Sequence, residues 1–428
     1  MISEKTKYHT KSQTLTLQGL DVKKEGQHAP SFFGENMEIT YFVHTPENYG
    51  TSYRCYALAK NLSMIGFKMK MVCASEKMDF LMRKRNVNEN FELITLPYFR
   101  FHRYFSGHSL RALLSSLRVI FTNPDIVHGF TAAQPSTAIP SIIWKKRGNA
   151  LFVDWDDAWG GGFAEGHGNV FGKMLAYFEE DSAKKADEVT YVSEWIFERI
   201  KSLGIKNAHY IPNGSPVLEI PVLSKEECRR DLKIGSEEKI LLSMGNLYTG
   251  GVDKMLNSFQ ILLKENPGMN PKLLFLGTDM SKAIEEKFGK EILKNIIFCG
   301  KKPFNDVKYY LGAADALLLP MEETNVEKAR FPMRLGDYLC AGRPIVSNGV
   351  GEVKKVLEQE KCGLVSGVDD AKGFKENMLL ALEDKEKSEE LGGRAREAAE
   401  KKYDWRIIVK KLAKVYEKYN EKVSGNPC

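Results

Sequence analysis

The sequence predicts two doubly wound α/β domains, each a mostly parallel sheet with helices on both faces. The chain has 428 residues, too many for one typical core and enough for two domains of roughly 150–200 residues each. A strand–loop–helix–strand pattern begins at Met37, which is how such a domain opens. A similar pattern of strand, glycine-rich loop and helix begins at Lys239 and opens the second domain. These observations together predict a repeated α/β architecture.

The composition is that of a soluble globular protein. Hydrophobic residues make up 43% of the chain and charged residues 28%. The net charge of +6 is modest and does not indicate a dedicated nucleic-acid binder. The seven cysteines are scattered and never have CxxC spacing, which predicts reduced thiols and no zinc site. No signal peptide and no apolar run of about 18–20 residues is visible, so we expect a cytoplasmic protein, at most peripheral on the inner face of the cell membrane.

The first domain is predicted to span residues 37–215. Residues 1–36 are polar and lack apolar periodicity, which predicts a disordered tail. The first strand carries His44 near its end, and the loop after it contains Gly50. The next segment has apolar residues at helical spacing, and a second strand completes the unit.

An acidic patch follows the central strands of this domain. One buried strand ends near His128, and a later apolar strand delivers Asp154, Asp156 and Asp157 to its carboxyl end. Ligands of open α/β sheets bind at such strand ends, and clustered carboxylates raise one another's pKa. Asp156 or Asp157 is therefore a candidate general base for an acceptor hydroxyl. A divalent metal is the rival use of three aspartates.

Residues 96–121 interleave aromatic side chains with arginines. The arginines of this segment are Arg100, Arg103, Arg111 and Arg118. Contact with an anionic membrane surface would use both residue types, and so would binding of single-stranded nucleic acid. A solvated face over an ordinary core is the third interpretation. We favour the membrane.

The stretch Asn325–Glu352 predicts an anion site. A short helix over Met333–Ala341 begins after a proline and precedes a buried strand and a glycine-bearing loop. Free N–H groups and the helix dipole favour negative charge at such a helix start. Arg330 and Arg334 flank it, and Asp337 lies one turn further on, which suggests a ligand with phosphate and ribose. An ordinary strand–helix–strand unit with surface arginines is the alternative.

Two motifs connect the chain to a known family. The pattern AD-x-V-x-x-V-S-E ends at Glu194, and the sequence IPNG follows at Ile211–Gly214. Together with Asn325–Glu352, these motifs resemble glycosyltransferase family 4, which has the GT-B fold and uses nucleotide-sugar donors. The resemblance covers about residues 37–420. It implies two Rossmann-like domains facing a central cleft, with residues 216–403 forming the nucleotide-sugar domain and the helix 404–422 returning to the acceptor-side domain.

The residues and the resemblance together predict which side chains meet each substrate. The predicted catalytic residues are Asp156, Asp157 and His128, and the predicted acceptor-side residues are His44 and Gly50. The predicted donor-binding residues are Gly250, Gly251, Gly300, Lys301, Asn325, Arg330, Arg334, Leu335 and Asp337. The acid at the Asp337 position binds the donor ribose in this family. Family members generally need no bound metal, so we expect no cofactor besides the nucleotide-sugar co-substrate.

Three family side chains are absent from their usual places. The glycine loop normally carries two cations, where this chain has Asn246 and Gly250. The first acid of the family's acidic pair is replaced by Ala329. Because the donor diphosphate still needs positive charge, we expect Arg330 and Arg334 to supply it.

The resemblance implies a glycosyltransferase, most consistently a retaining one. It would move a sugar from a nucleoside diphosphate to a hydroxyl of a lipid-linked or polysaccharide precursor, in cell-envelope glycan biosynthesis. Two alternatives share the fold: a nucleotide-sugar 2-epimerase, and a non-catalytic protein that binds sugar nucleotides or scaffolds other transferases.

Overall fold

The computed structural model describes residues 37–47, 49–99, 107–163, 170–245, 251–277 and 281–425. Within these ranges the chain forms two sheets with helices packed on them, and this confirms the predicted α/β fold class. The predicted tail over residues 1–36 lies outside the described residues.

The first sheet has eight strands. They are β1 (Glu38–Pro46), β2 (Lys68–Ala74), β3 (Arg83–Asn88), β4 (Phe91–Leu96), β5 (Ile126–Phe130), β6 (Ala150–Trp155), β7 (Glu188–Tyr191) and β8 (Ala208–Tyr210). Their order is β3-β4-β2-β1-β5-β6-β7-β8, and the described pairs are parallel except β3 with β4. The accompanying helices are α1 (Thr51–Met64), α2 (His108–Phe121), α3 (Pro135–Lys146), α4 (Val170–Lys185) and α5 (Glu194–Ser202), with a π-helical turn over Trp159–Phe163.

The second sheet has six parallel strands. They are β9 (Ile240–Gly245), β10 (Lys272–Gly277), β11 (Ile296–Gly300), β12 (Ala316–Leu319), β13 (Ile345–Ser347) and β14 (Gly363–Val365), in the order β11-β10-β9-β12-β13-β14. Its helices are α6 (Lys225–Leu232), α7 (Val252–Glu265), α8 (Ser281–Phe288), α9 (Lys290–Leu293), α10 (Phe304–Ala313), α11 (Asn325–Ala329), α12 (Met333–Cys340), α13 (Gly351–Gln359), α14 (Ala371–Glu383) and α15 (Lys385–Ala398). A π-helical turn over Ala399–Tyr403 and helix α16 (Trp405–Ser424) end the described chain.

Each sheet has one point where the strand order reverses. In the first sheet it lies between β1 and β5, and in the second between β9 and β12. Crevices outside the carboxyl ends of strands at such points are where α/β proteins bind ligands. The candidate site therefore has to be sought at these strand ends.

The chain passes between the two sheets at two neighbouring segments. The Ser215 N–H donates to the Tyr403 carbonyl at 2.6 Å, and the Trp405 N–H donates to the Ser215 carbonyl at 3.3 Å. Asp404 then caps α16, because its carboxylate accepts the Arg406 N–H at 2.7 Å. The apolar face of α16, which includes the buried Tyr416, packs on α1 and the first sheet. The last helix thus ties the chain end to the first sheet.

None of the helices in the described ranges is long and apolar enough to cross a membrane. Six of the seven cysteines lie in these ranges, and all six are free thiols.

Candidate active site

The predicted donor helix is present as α12. It begins at Met333 as predicted and ends at Cys340, and Gly342 beyond it has a left-handed φ of 65°. From its first turn, Arg334 reaches the end of β9, where its guanidinium donates to the Met244 carbonyl at 2.8 Å. A β-carbon on Gly245 would lie 3.2 Å from the Arg334 side chain, so the glycine makes room for the arginine. Arg334 therefore lies at the switch point of the second sheet.

Arg330 forms an ion pair with Glu327 of α11. Both guanidinium contacts go to the Glu327 carboxylate, which is buried. Burial raises the pKa of Glu327, and the opposing charge of Arg330 lowers it. Part of the Arg330 charge is thereby balanced within the protein, which leaves Arg334 as the stronger of the two predicted phosphate ligands.

Asp337 lies one turn after Arg334 and is partly buried. Burial raises the pKa of Asp337 to about 7, although Arg334 opposes the shift. Its carboxylate also contributes to the raised pKa of Tyr53 in α1, after burial and Glu76. Tyr53 lies in α1 on the first sheet, so Asp337 is near enough to that sheet for its charge to act there.

The other predicted donor residues have different surroundings. A β-carbon on Gly251 (φ 83°) would overlap the Met321 carbonyl and lie 2.6 Å from its nitrogen, so this glycine is required for close packing. Gly300 has a φ of 69° with open space around it, and Lys301 after it is exposed. Asn325 starts α11. Leu335 is fully buried in the core, and Gly250 and Asn246 lie outside the described residues.

Asp156 and Asp157 follow β6, on the opposite side of the crevice. Burial raises the pKa of Asp156 to about 7, with Asp154 and Asp157 adding to the shift. Burial raises the pKa of Asp157 to about 6, and the charge of Arg330 lowers it. Asp157 and Arg330, which belong to different sheets, thus lie close enough to interact. Both carboxyl groups titrate near neutral pH, as a general base requires.

The π-helical turn after these aspartates is held by Glu179 of α4. The Glu179 carboxylate accepts the N–H groups of Trp159 at 3.0 Å and Gly160 at 2.7 Å, and burial raises the pKa of Glu179 to about 8. A β-carbon on Gly162 would lie 2.8 Å from the Val326 side chain of α11. Gly162 therefore allows this turn to pack closely against α11.

His44 and Gly50 lie at the end of β1 and the start of α1. The His44 ring is 91% buried and meets the Trp159 ring edge-on at 5.3 Å. Burial, with smaller contributions from His108 and Arg111, lowers the pKa of His44 to about 3. Gly50 adopts a φ of 52° before the first turn of α1.

His128, predicted as catalytic, lies in the interior. It is fully buried, and its ring nitrogens lie 2.6 Å from the Tyr416 hydroxyl and 3.3 Å from the Thr190 hydroxyl. Burial lowers the pKa of His128 to about 3. The ring connects the first sheet to α16 and does not reach the crevice, so we leave His128 out of the chemistry.

Two of the arginines predicted for membrane contact point inward. Arg111 is 2% exposed and donates to the Pro97 carbonyl at 3.3 Å. Arg118 pairs with Glu92 of β4 at 3.6 Å. Arg100 and Arg103 lie outside the described residues. The helix α2 turns its apolar side outward instead, with Phe121 81% exposed. Arg111 and Arg118 are therefore not positioned to contact a membrane surface.

Sequence reasoning missed Arg54, the partner of Asp154. The two side chains form a bidentate ion pair with distances of 3.0 and 2.8 Å, and each is 1% exposed. The one indication in the sequence is that Arg54 lies on the same side of α1 as apolar residues such as Leu58.

The site thus combines two arginines and a carboxylate of the second sheet with two carboxyl groups of the first sheet whose pKa values are raised toward neutral pH. Cations can stabilise an anionic leaving group, and a carboxylate with a pKa near 7 can accept a proton from a hydroxyl. In the described ranges, no three His, Cys, Asp or Glu side chains are arranged to hold a metal ion.

Comparisons with known proteins match both halves of the chain. The family model "Glycosyltransferase Family 4" matches residues 49–216, and "Glycosyl transferases group 1" matches residues 224–398. A Bacillus subtilis protein named TuaH, a glycosyltransferase of teichuronic acid biosynthesis by its name, is 24% identical over 279 residues, which cover 62% of this chain and 67% of that protein.

Solved structures share the fold. Sucrose-phosphate synthase from Thermosynechococcus elongatus superimposes with a TM-score of 0.71 at 15% identity, covering 90% of this chain and 100% of that one. HepE from Anabaena, solved in complex with UDP-glucose, has a TM-score of 0.66 at 12% identity and covers 90% of this chain and 100% of its own.

Proposed function

Because the chain belongs to glycosyltransferase family 4, we propose that it moves a sugar from a nucleoside diphosphate donor to an acceptor hydroxyl. The observation that carries this proposal is the position of Arg334 at the end of β9, where it donates to the Met244 carbonyl at 2.8 Å, together with the charge of Arg330, which lowers the pKa of Asp157 across the crevice. A donor seated on α12 would have its diphosphate at Arg334 and its sugar toward the carboxyl groups of β6. The UDP-glucose bound by HepE supports a nucleotide sugar as the class of donor.

The proposed chemistry has two parts. Arg334, assisted by Arg330, stabilises the charge that develops on the departing diphosphate, which is the larger electrostatic effect available here. Asp156 or Asp157 receives the proton of the acceptor hydroxyl as the new glycosidic bond forms, since both carboxyl groups titrate near neutral pH. We propose retention of configuration at the sugar carbon on the family resemblance, and NMR of the product's anomeric proton would test it.

We propose a lipid-linked or polysaccharide precursor as the acceptor, reached at a membrane surface. The name of TuaH places that relative in the synthesis of an envelope polymer. In this chain, α2 exposes an apolar face that consists of Leu113, Leu117, Ile120 and Phe121. Lys84 of the edge strand β3, whose side chain is 51% exposed, pairs at 3.8 Å with Glu92, the same carboxylate that Arg118 of α2 contacts, so an exposed cation lies near that helix. Apolar side chains beside cations suit an anionic bilayer surface.

A thermal-shift panel of UDP-, GDP- and dTDP-sugars tests the proposed donor class. A ligand that binds only the folded state raises the melting temperature, so one nucleotide series should give a clear rise. The Arg334→Ala variant should lose that rise, whereas Arg230→Ala, an exposed arginine of α6, should keep it. Flat responses of the unmodified protein to every donor would contradict the proposal. Donor turnover without an acceptor would instead favour an epimerase.

A further inference from the structure

The side chain of Arg54 is saturated with hydrogen bonds in the protein interior. A guanidinium has five N–H donors, and here Nε and Nη2 contact the two oxygens of Asp154 at 3.0 and 2.8 Å. The remaining contacts are to the Ile211 carbonyl at 2.6 Å, the Pro212 carbonyl at 3.1 Å and Asn213 Oδ1 at 3.0 Å. One side chain thus connects the end of β6 to the segment by which the chain leaves the first sheet.

The Asp154 end of this connection is fixed by a second partner. Thr190 of β7 donates its hydroxyl to Asp154 at 2.5 Å. Asp154 is also a source of the raised pKa of Asp156 two residues later. The geometry and charge of the acceptor-side carboxyl groups therefore depend on what holds Asp154.

The Asn213 end reaches the donor helix. While Asn213 Oδ1 accepts from Arg54, its Nδ2 donates to the Phe331 carbonyl at 2.5 Å. Phe331 is followed by Pro332 and the first turn of α12. The hydrogen-bonded path thus runs from the carboxylates of the first sheet to the start of the helix that carries Arg334.

We propose that Arg54 is a positioning residue that acts through Asn213 to set where α12 lies relative to the carboxyl groups of β6. The role rests on the proposed function, since it matters for sugar transfer only if α12 binds the donor. Lysine cannot replace Arg54, because an ammonium has three donors from one atom and no planar fork. A purely structural role, as for many buried ion pairs, is the alternative that the experiment must exclude.

The second domain offers a matched control in Arg229. This arginine is 4% exposed, pairs with Asp315 at 2.8 Å and donates to the carbonyls of Ala313 and Ser236 at 3.0 and 2.5 Å. It is the same kind of buried arginine, but its partners lie at the opening of β9 and β12 rather than at their carboxyl ends. Arg229→Lys should therefore disturb packing without moving α12.

Hydrogen exchange and UDP binding, measured on the full chain, test the proposal. Arg54→Lys and Asn213→Ala should each speed amide exchange over Met333–Cys340. Each should also weaken binding of UDP, or of GDP if the unmodified protein prefers it. The expected loss of affinity is about tenfold, the usual cost of a broken buried hydrogen bond. The double variant should add little to either single change, because both interrupt one path. Arg229→Lys should change exchange near Ser236 and leave nucleotide affinity intact.

The outcomes separate this inference from the proposed function. Unchanged exchange over Met333–Cys340 in both Arg54→Lys and Asn213→Ala would overturn the positioning role. If Arg54→Lys does not fold, Asn213→Ala keeps the ion pair with Asp154 and must alone show the faster exchange. Faster exchange in a protein that binds none of UDP, GDP and dTDP would sustain the mechanical link and reject the proposed donor site.

Discussion

Substituting Gly336 by alanine should destabilise the protein, although this glycine lies inside a helix. Gly336 is the fourth residue of α12, and replacing glycine by alanine in a helix interior normally stabilises by about 1 kcal/mol. A β-carbon at this position, however, would overlap the carbonyl oxygen of Gly214 and lie 3.2 Å from its carbon and 3.3 Å from the Ser215 Cα. These are backbone atoms, which cannot rotate away.

The overpacking cost should exceed the gain in helix propensity. Extra methyl groups in packed interiors cost about 1–3 kcal/mol, and the rigid neighbours favour the upper part of that range. The net destabilisation should be about 1–2 kcal/mol, a fall of about 2–8 °C in melting temperature for a domain of this size. Because Arg334 and Asp337 lie on the same helix, a shifted α12 should also bind nucleotide more weakly.

Differential scanning fluorimetry can check this prediction with a control in the same domain. Gly393 lies within α15, and nothing is within 4 Å of a β-carbon there. Gly393→Ala should therefore raise the melting temperature by about 2–4 °C. A Gly336→Ala protein as stable as the unmodified one would refute the close contact between α12 and the Gly214 segment.

Two further predictions concern the carboxyl groups and the apolar face of α2. Because burial raises the pKa of Asp156 to about 7, the folded protein binds its proton more tightly than the unfolded chain, and this contribution to stability is lost as pH rises from about 4 to about 7. The side chain of Asp156→Asn cannot ionise, so this variant does not lose stability in that way. The melting temperature of the variant minus that of the unmodified protein should therefore be larger at pH 8 than at pH 5. An equal difference at both pH values would contradict the shifted pKa. Phe121→Glu should weaken sedimentation with phosphatidylglycerol vesicles severalfold, whereas Leu380→Glu on α14, also exposed, should not; equal loss in both would reject α2 as the contact.

Much of the architecture follows from local sequence patterns. Apolar strands alternating with glycine-containing loops and helices predict the two doubly wound sheets, and the order of elements agrees with the structure. The proline before Met333 predicts the start of α12. Alternating strands and helices leave few topologies, because parallel crossovers have a fixed hand. The family motifs also identify the arginine-bearing helix at the crevice before any coordinates are known.

Side-chain partnerships over long sequence distances were not predictable in the same way. His128 lies near the end of a buried strand, where a ligand is expected, yet its ring meets Tyr416, which lies 288 residues later. Arg54 gave little sign of its contacts, since Asp154 and Asn213 lie 100 and 159 residues further on. The aromatic residues and arginines around Arg111 predict a surface position for it, but the helix turns it inward. Such contacts depend on which faces the sheet brings together, and local periodicity does not carry that information.

The central claim is that α12 binds the diphosphate and ribose of the donor. Isothermal titration calorimetry with UDP and GDP tests it most directly, using Arg334→Ala, Asp337→Ala and the exposed control Arg230→Ala. A charge-assisted hydrogen bond contributes about 1.5–3 kcal/mol, so Arg334→Ala and Asp337→Ala should each weaken the preferred nucleotide at least about tenfold, and Arg230→Ala should bind like the unmodified protein. Unchanged affinity for both nucleotides in Arg334→Ala and Asp337→Ala would contradict the claim.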